Sequence, residues 1–382
     1  MKNSLFKLIS LSAFSTIAIG SIQAGYEDRI DHLEKQMQEI SARNPQDTLG
    51  ASFTTARPEV DGTRWFATFD LTYWHAKMGG TEYAYSVQNG GTNTGLPLDG
   101  DTKDNSFSWD MGLKAGLGYK TPHDKWDLYA RYTWYETENS ASSHKAAPST
   151  LISLNLYFRL TSNVAKSHIN IDYNNVELEL GRSYFISRRL SFRPHIDMKA
   201  AWIDINTNVV YTASGVASPG AAFAGLDIKA KEHLKFWGLG PRAGFDTKWY
   251  LGYDFHIFGD VAASVLYGYF NTIQKNIFPP HTAPAIIPDG VAYKVRDKFH
   301  RFVPFVQMFL GLGWERYIND EKQHLGLKLG YEVQYYWRVN QIHQSEDFLL
   351  DASQNGSIGF KFQKQSEDLM FYGITGEVRL DF

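Results

Sequence analysis

Residues 107–138 read FSWDMGLKAGLGYKTPHDKWDLYARYTWYETE, two runs of strict alternation joined by a short polar turn at 121–124. In the first, Phe107, Trp109, Met111, Leu113, Ala115, Leu117 and Tyr119 share one side; Ser108, Asp110, Gly112, Lys114, Gly116, Gly118 and Lys120 share the other. A period of two puts these sets on opposite faces of a strand. The second run sets Trp126, Leu128, Ala130, Tyr132 and Trp134 against Asp127, Tyr129, Arg131, Thr133 and Tyr135. Each run exceeds the roughly 9–11 residues a tilted strand needs to cross a bilayer, and the about 5–6 usual in soluble sheets. An apolar face with Trp and Tyr near both ends, backed by a charged and glycine-rich face, fits a wall between lipid and water.

Composition agrees without deciding the matter. Aromatic residues make up 15% of the 382-residue chain and the formal charge is −3, so the basic footprint of a nucleic-acid binder is missing and no nucleic-acid partner is expected. A mean hydropathy of −0.34 looks soluble, but lipid-facing and lumen-facing residues cancel in any barrel average. With no cysteine, stability must come from backbone pairing and burial, and thiolate metal sites are excluded.

The start of the chain predicts export. Lys2 and Lys7 precede an apolar run at 8–19, and Ser21-Ile22-Gln23-Ala24 offers small residues for cleavage near Ala24, which together make residues 1–24 a secretory signal peptide. The run is well short of the roughly 20 residues of a transmembrane helix. In 25–44 the period changes: Tyr26, Ile30, Leu33, Met37 and Ile40 recur in steps of four and three, a heptad seam of about two repeats. It predicts a short periplasmic helix that either lies against the barrel base or joins copies of the chain in a homo-oligomer through 26–44. Asn44-Pro45 ends it, and 45–63 reads as a linker.

From 64 to 382 alternation governs. Ile169, Ile171 and Tyr173 lie on the opposite parity to Val176, Leu178 and Leu180, which calls for a bulge near Asn174-Asn175. In 190–202, Arg193, His195, Asp197 and Lys199 alternate with Phe192, Pro194, Ile196, Met198 and Ala200. Such a row of ionisable groups would be costly in a dry core, but a wet lumen accommodates it. Short turns near 121–124, 187–189, 251–253 and 319–322 alternate with long connections at 78–106, 138–164, 273–298 and 341–366, the asymmetry of periplasmic turns and extracellular loops. The final run, from Met370 through Tyr372, Ile374, Val378 and Leu380 to Phe382, has the form presented to the barrel-assembly machinery. The fold expected is all-β, a transmembrane antiparallel up-and-down β-barrel of about 10 strands (10–12 if 151–160 and 356–363 are counted), set in outer-membrane lipid.

The heptad segment, VELELGRSYFISRRLSFRPHIDMKAAWI at 176–203 and GITGEVRLDF at 373–382 together resemble the Legionella-type major outer membrane protein family, also found in environmental relatives of the chlamydiae. The resemblance spans nearly the whole mature chain and implies a pore-forming barrel of the bacterial outer membrane, with a surface antigen or adhesin role besides. Members often carry cysteines that cross-link the envelope, a property not carried over to a chain without them.

Catalysis is the rival class, since barrels of this size also house hydrolases. His195/Asp197 and His256/Asp260 invite a general-base reading, yet on a wet wall they serve as charge pairs, and no Ser/His pair in hydrolase context accompanies them. Gly238, Gly240 and Gly244 lack the helix of a dinucleotide site, and His-rich metal spacing does not occur. No catalytic residue, metal ligand or cofactor is expected. The pore-lining candidates are Asp110, Lys114, Arg131, Arg193, His195, Asp197, Lys199, Arg242, Asp246, Lys248, Asp260, Lys328, Glu332 and Arg379, with Asp70, Glu177 and Glu179 on the same face. They predict a porin-like protein that passes small ions and solutes passively; the alternative is a surface-structural or adhesive barrel acting through its loops. About eight strands leave an interior just filled by side chains, whereas 16–18 leave a channel, so ten lies near the closed end.

Overall fold

Among the described residues the alternation becomes fourteen strands: β1 (Trp65–Met78), β2 (Glu82–Val87), β3 (Gly100–Asp104), β4 (Trp109–Lys120), β5 (Trp126–His144), β6 (Thr150–Ser153), β7 (Thr161–Arg182), β8 (Tyr184–Ser187), β9 (Leu190–Ala213), β10 (Asp227–Gly252), β11 (Phe255–Phe278), β12 (Gly290–Ile318), β13 (Gln323–Leu349) and β14 (Ile358–Asp381). This computed structural model describes residues 64–87, 100–121, 126–156, 160–187, 189–214, 223–280, 289–319, 323–349 and 358–382. The expected signal peptide, heptad helix and linker lie outside the described residues. Ten strands close an antiparallel ring in the order β1-β4-β5-β7-β9-β10-β11-β12-β13-β14, and β14 pairs back onto β1. The expected ten-strand barrel is therefore present. Its first and last strands meet at the short-turn end, where the Trp65 N–H donates to the Phe382 carbonyl at 3.1 Å; barrels of this build turn that end to the periplasm. The short strands β2, β3 and β6 extend the sheet from β7 at the other, outer end.

The long connections of the sequence reading are largely strand. The ends of β5 and β7 and all of β6 occupy 138–164, β11 and β12 run into 273–298, and β13 and β14 run into 341–366. Strands of 22 to 29 residues result. With a rise of about 3.3 Å per residue and a tilt of about 40°, a 24-residue strand climbs about 60 Å, against an apolar band of about 25 Å. More than half of such a strand lies outside the apolar band, whereas β1 and β4, at 14 and 12 residues, rise little beyond it.

That height explains an inversion in the pattern. In β7, Val176, Leu178 and Leu180 face outward and are exposed, while Asn175, Glu177 and Glu179 are buried inside. Further out on the same strand, Ile169, Ile171 and Tyr173 are the buried, inward residues, and polar Asn170, Asp172 and Asn174 face outward. The bulge expected at Asn174-Asn175 is absent, because β7 pairs with β5 and β9 straight through both residues without a shift. Lipid demands apolar groups outside the wall; above the bilayer water is outside, and the apolar groups move in. The exchange lies at aromatic girdles: Trp202 stands opposite Trp237, and the Trp109 ring lies 5.5 Å from Tyr73 and 5.9 Å from Tyr372. Trp65 and Tyr119, 4.9 Å apart, belong to the periplasmic girdle.

A real register shift lies in β13 between Tyr336 and Asn340, where Arg338 takes a φ of 55°. Asp368 holds it, accepting from the Arg338 N–H at 2.7 Å and from the Tyr335 hydroxyl at 2.5 Å. Here the β12–β13 ladder stops, its last pair being Phe305 and Tyr336. Residues 290–304 of β12 pair with β11 alone. Pro304, with no N–H to give, suits a strand that becomes an edge at this point. Side chains span the resulting seam: Arg301 donates to Ser366 Oγ at 2.9 Å, and Lys364 to Asp297 at 3.0 Å.

Candidate functional site

The barrel interior is the candidate site, and it is stacked in three layers. The periplasmic half is ionic, since the wall is apolar towards lipid and must be polar within. All fourteen sequence-predicted residues project from the inner face, but most meet each other or a neighbouring carboxylate instead of standing free. Lys114 on β4 reaches Glu332 on β13 at 2.6 and 2.5 Å, and Glu332 also accepts from Gln307, Gln334 and Thr375 at 2.9, 2.9 and 2.8 Å. Glu177 receives Arg131 at 2.5 Å and Lys199 at 2.7 Å. Arg242 pairs with Asp197 and donates to Gln307 at 3.1 Å. Arg193 gathers Asp127, Glu179 and Asp246, the last at 2.6 Å, while His195 Nδ1 lies 2.8 Å from Asp197. Lys328 bridges Asp260 and Glu377 at 3.2 and 3.6 Å. Near the periplasmic mouth Lys248 holds Glu315 at 2.5 Å, and Arg379 holds Asp381 at 2.7 Å. Asp110 stands apart, accepting from Thr137 and Ser108 at 2.5 and 3.2 Å.

Four of the acidic partners, Asp127, Glu315, Glu377 and Asp381, lie outside the pore-lining set that the sequence suggests. Their parity marked them as inward, and the cations opposite needed them. The glycines serve the same filling. A methyl group on Gly118 would collide with the Phe66 ring, and one on Gly181 with the Arg193 guanidinium, so these bare stretches of wall let large side chains lie flat across them. A cavity of about 70 Å³ remains between Arg131, Asp246, Asp260 and Lys328, room for a handful of waters. Glu179, His195 and Asp197 lie close enough together to share an ion, but Arg193 and Arg242 already supply the positive charge to these carboxylates.

Above the ions sits an aromatic layer that the alternation did not reveal. Trp74, Tyr135, Tyr173, Phe305, Tyr336 and Phe371 are all buried inward. Tyr173 hangs from β7 and Tyr336 from β13, diametrically opposed in a ten-strand ring, and their hydroxyls meet at 2.8 Å. The Tyr173 ring also lies 4.8 Å from Phe371, and Phe305 lies 4.5 Å from Tyr336. Tyrosine and tryptophan can be used here because each polar tip finds a partner: Trp74 Nε1 donates to Thr375 at 3.0 Å, and Tyr135 to the Trp74 carbonyl at 3.0 Å. Lys199 ties the two layers together, its ammonium 4.1 Å from the centre of the Phe305 ring.

The outer layer is a second apolar cluster that includes Tyr83, Leu151, Leu156, Tyr211, Phe223 and Phe278, in which β2 and β6 meet the extended wall. Beneath it Glu232 accepts from Gln274 at 3.0 Å and Asn155 at 3.3 Å and has no cationic partner among the described residues. Burial pushes its carboxyl up to about 7.

The family model described as Legionella pneumophila major outer membrane protein precursor matches residues 58–382. No curated protein matches the chain. Among solved structures, the outer membrane protease OmpT from Escherichia coli is 12% identical, with 85% of this chain and 99% of that one covered at a TM-score of 0.45. A FadL homologue from Pseudomonas aeruginosa is 9% identical, with coverages of 82% and 90% and a TM-score of 0.26. The Pseudomonas putida toluene transporter TodX is 10% identical, with coverages of 84% and 89% and a TM-score of 0.25.

Proposed function

We propose, from the premise that this chain belongs to the Legionella pneumophila major outer membrane protein family, that it serves the outer membrane as a closed, surface-structural barrel. The observation that carries this reading is the contact across the lumen. Tyr173 and Tyr336 span the ring at 2.8 Å, with Trp74, Phe305 and Phe371 packed around them. Passage of a hydrated ion would require these rings to part and the pairs below to open, each left with an unpaired buried charge. Meanwhile the strands of 22 to 29 residues extend well beyond the apolar band on the outer side, where they present surface to the medium.

Porin-like passive diffusion is the second reading. It is favoured by the charged cavity of about 70 Å³ between Arg131, Asp246, Asp260 and Lys328, a polar start to a path. Planar-bilayer recording on the refolded barrel separates the two. The closed reading expects no unitary steps from the native chain. Steps whose selectivity moves toward cations in Arg193→Glu and Lys199→Glu would establish diffusion through the lumen instead.

A further inference from the structure

Outside the wall, just above the outer girdle, three neighbouring strands build one basic face. Rows of directly paired residues on β10, β11 and β12 run outward from Leu239, Tyr267 and Phe302 through Trp237, Tyr269 and His300 to Lys235, Asn271 and Lys298. Next come His233, Ile273 and Arg296, then Lys231, Lys275 and Lys294. Lys231, Lys235, Lys294, Arg296 and Lys298 are exposed, and Lys275 is partly so. Of these six cations only Lys235 has an acidic neighbour among the described residues, Asp204 at 3.4 Å. Asp297, next in sequence to two of them, points to Lys364 across the seam.

Three lysines directly opposite one another on three adjacent strands destabilise a sheet. Strands are about 4.8 Å apart and alternate residues about 6.7 Å apart, so the six charges share a patch on the order of 10 by 13 Å. An anion lying among them removes that cost. The patch is one-sided: at the corresponding height β5 and β7 turn Glu136, Glu138, Asp172 and Asn170 outward.

Position selects the anion. The face begins two residues above the row of Trp237, Tyr269 and His300, and an aromatic girdle marks the edge of the hydrocarbon. It looks sideways into the leaflet at headgroup depth, not up into the medium. We propose that this face binds the phosphorylated headgroup of an outer-leaflet glycolipid, with Lys231, Lys275, Lys294 and Arg296 on its phosphates and Trp237 and Phe302 against its acyl chains. Lysine and arginine are the side chains suited to phosphate oxygens.

The test is binding of the mature barrel in detergent to bisphosphorylated lipid A, to the same lipid stripped of phosphate, to inorganic phosphate and to a heparin oligosaccharide, read by native mass spectrometry. At about 1 kcal/mol per basic residue near an anionic surface, Lys231→Gln/Lys275→Gln/Lys294→Gln should weaken bisphosphorylated lipid A at least about tenfold. Lys77→Gln/Lys145→Gln/Lys166→Gln, an equal charge change elsewhere, should leave it unaltered. Removing mutually repelling exposed charges spares the fold, and Arg296→Gln/Lys298→Gln supplies an independent pair. Equal binding of the two lipids, an equal loss in the control variant, or capture of phosphate or heparin in place of lipid A would overturn the proposal.

Discussion

Truncating Lys114 probes the ionic layer at its most buried pair. The side chains of Lys114 and Glu332 are 2% and 0% exposed, and the ammonium touches both carboxylate oxygens. In Lys114→Ala the carboxylate keeps three neutral donors, Gln307, Gln334 and Thr375, but loses its only cation within ion-pair distance among the described residues. Stranding one member of a buried pair costs about 3–5 kcal/mol, whereas replacing both members by well-packed neutral groups is often neutral. The expected outcome is a loss of that size in Lys114→Ala, and recovery to within about 1 kcal/mol of the native chain in Lys114→Met/Glu332→Gln. Tryptophan fluorescence during guanidinium unfolding from lipid vesicles measures both, if unfolding and refolding curves coincide. A single-variant loss below about 1 kcal/mol, or strict additivity of the two substitutions, would mean that the lumen there is wet enough to screen the charges and would refute the packed-interior reasoning.

Two further outcomes follow from the layers above. Phe371→Ala removes a ring at the centre of the aromatic layer and should cost about 3–5 kcal/mol in the same unfolding assay; a cost near zero would show that the layer is loosely filled. Glu232 has its carboxyl raised from 4.5 to about 7, so between these values the folded state keeps a proton that the unfolded state releases. Stability from this residue is thus complete below about pH 4.5 and falls as pH rises through about 7, by up to about 3 kcal/mol. Glu232→Gln should abolish that trend in hydrogen exchange of β6 amides compared at pH 5 and pH 8, and persistence of the trend would assign it to another group.

Sidedness within the bilayer was legible because lipid and water impose opposite demands on successive residues. Parity alone places Lys114, Arg193, Asp197 and Glu332 on the inner face, where all four are buried. The height of the wall was not legible. Alternation reports that two faces differ, but not which one is wet, and beyond the girdle the answer reverses. Ile169 and Tyr173 therefore read as lipid-facing residues out of phase, and parity alone calls for a bulge that the ladder does not contain. The same blindness hides the basic face, because a run such as Lys294, Arg296 and Lys298 with Val295 and Asp297 between reads as loop when a strand is assumed to end with the membrane. Pairing across the lumen, as between Tyr173 and Tyr336, joins residues 163 apart in sequence and leaves no local trace.

The gap in the ladder between β12 and β13 divides the protein into two zones of unequal freedom. Below Phe305 and Tyr336, any change of length in one strand shifts the register of its neighbours and threatens closure. Beyond them, β13 and β14 form a ribbon that answers only to itself, fastened to the main wall by contacts such as those of Arg301 and Lys364. Insertions and deletions in that ribbon leave the remaining eight strands in phase. It is the part of the exterior that a lineage under attack can rewrite most cheaply, and the place where a foreign epitope could be displayed without disturbing assembly.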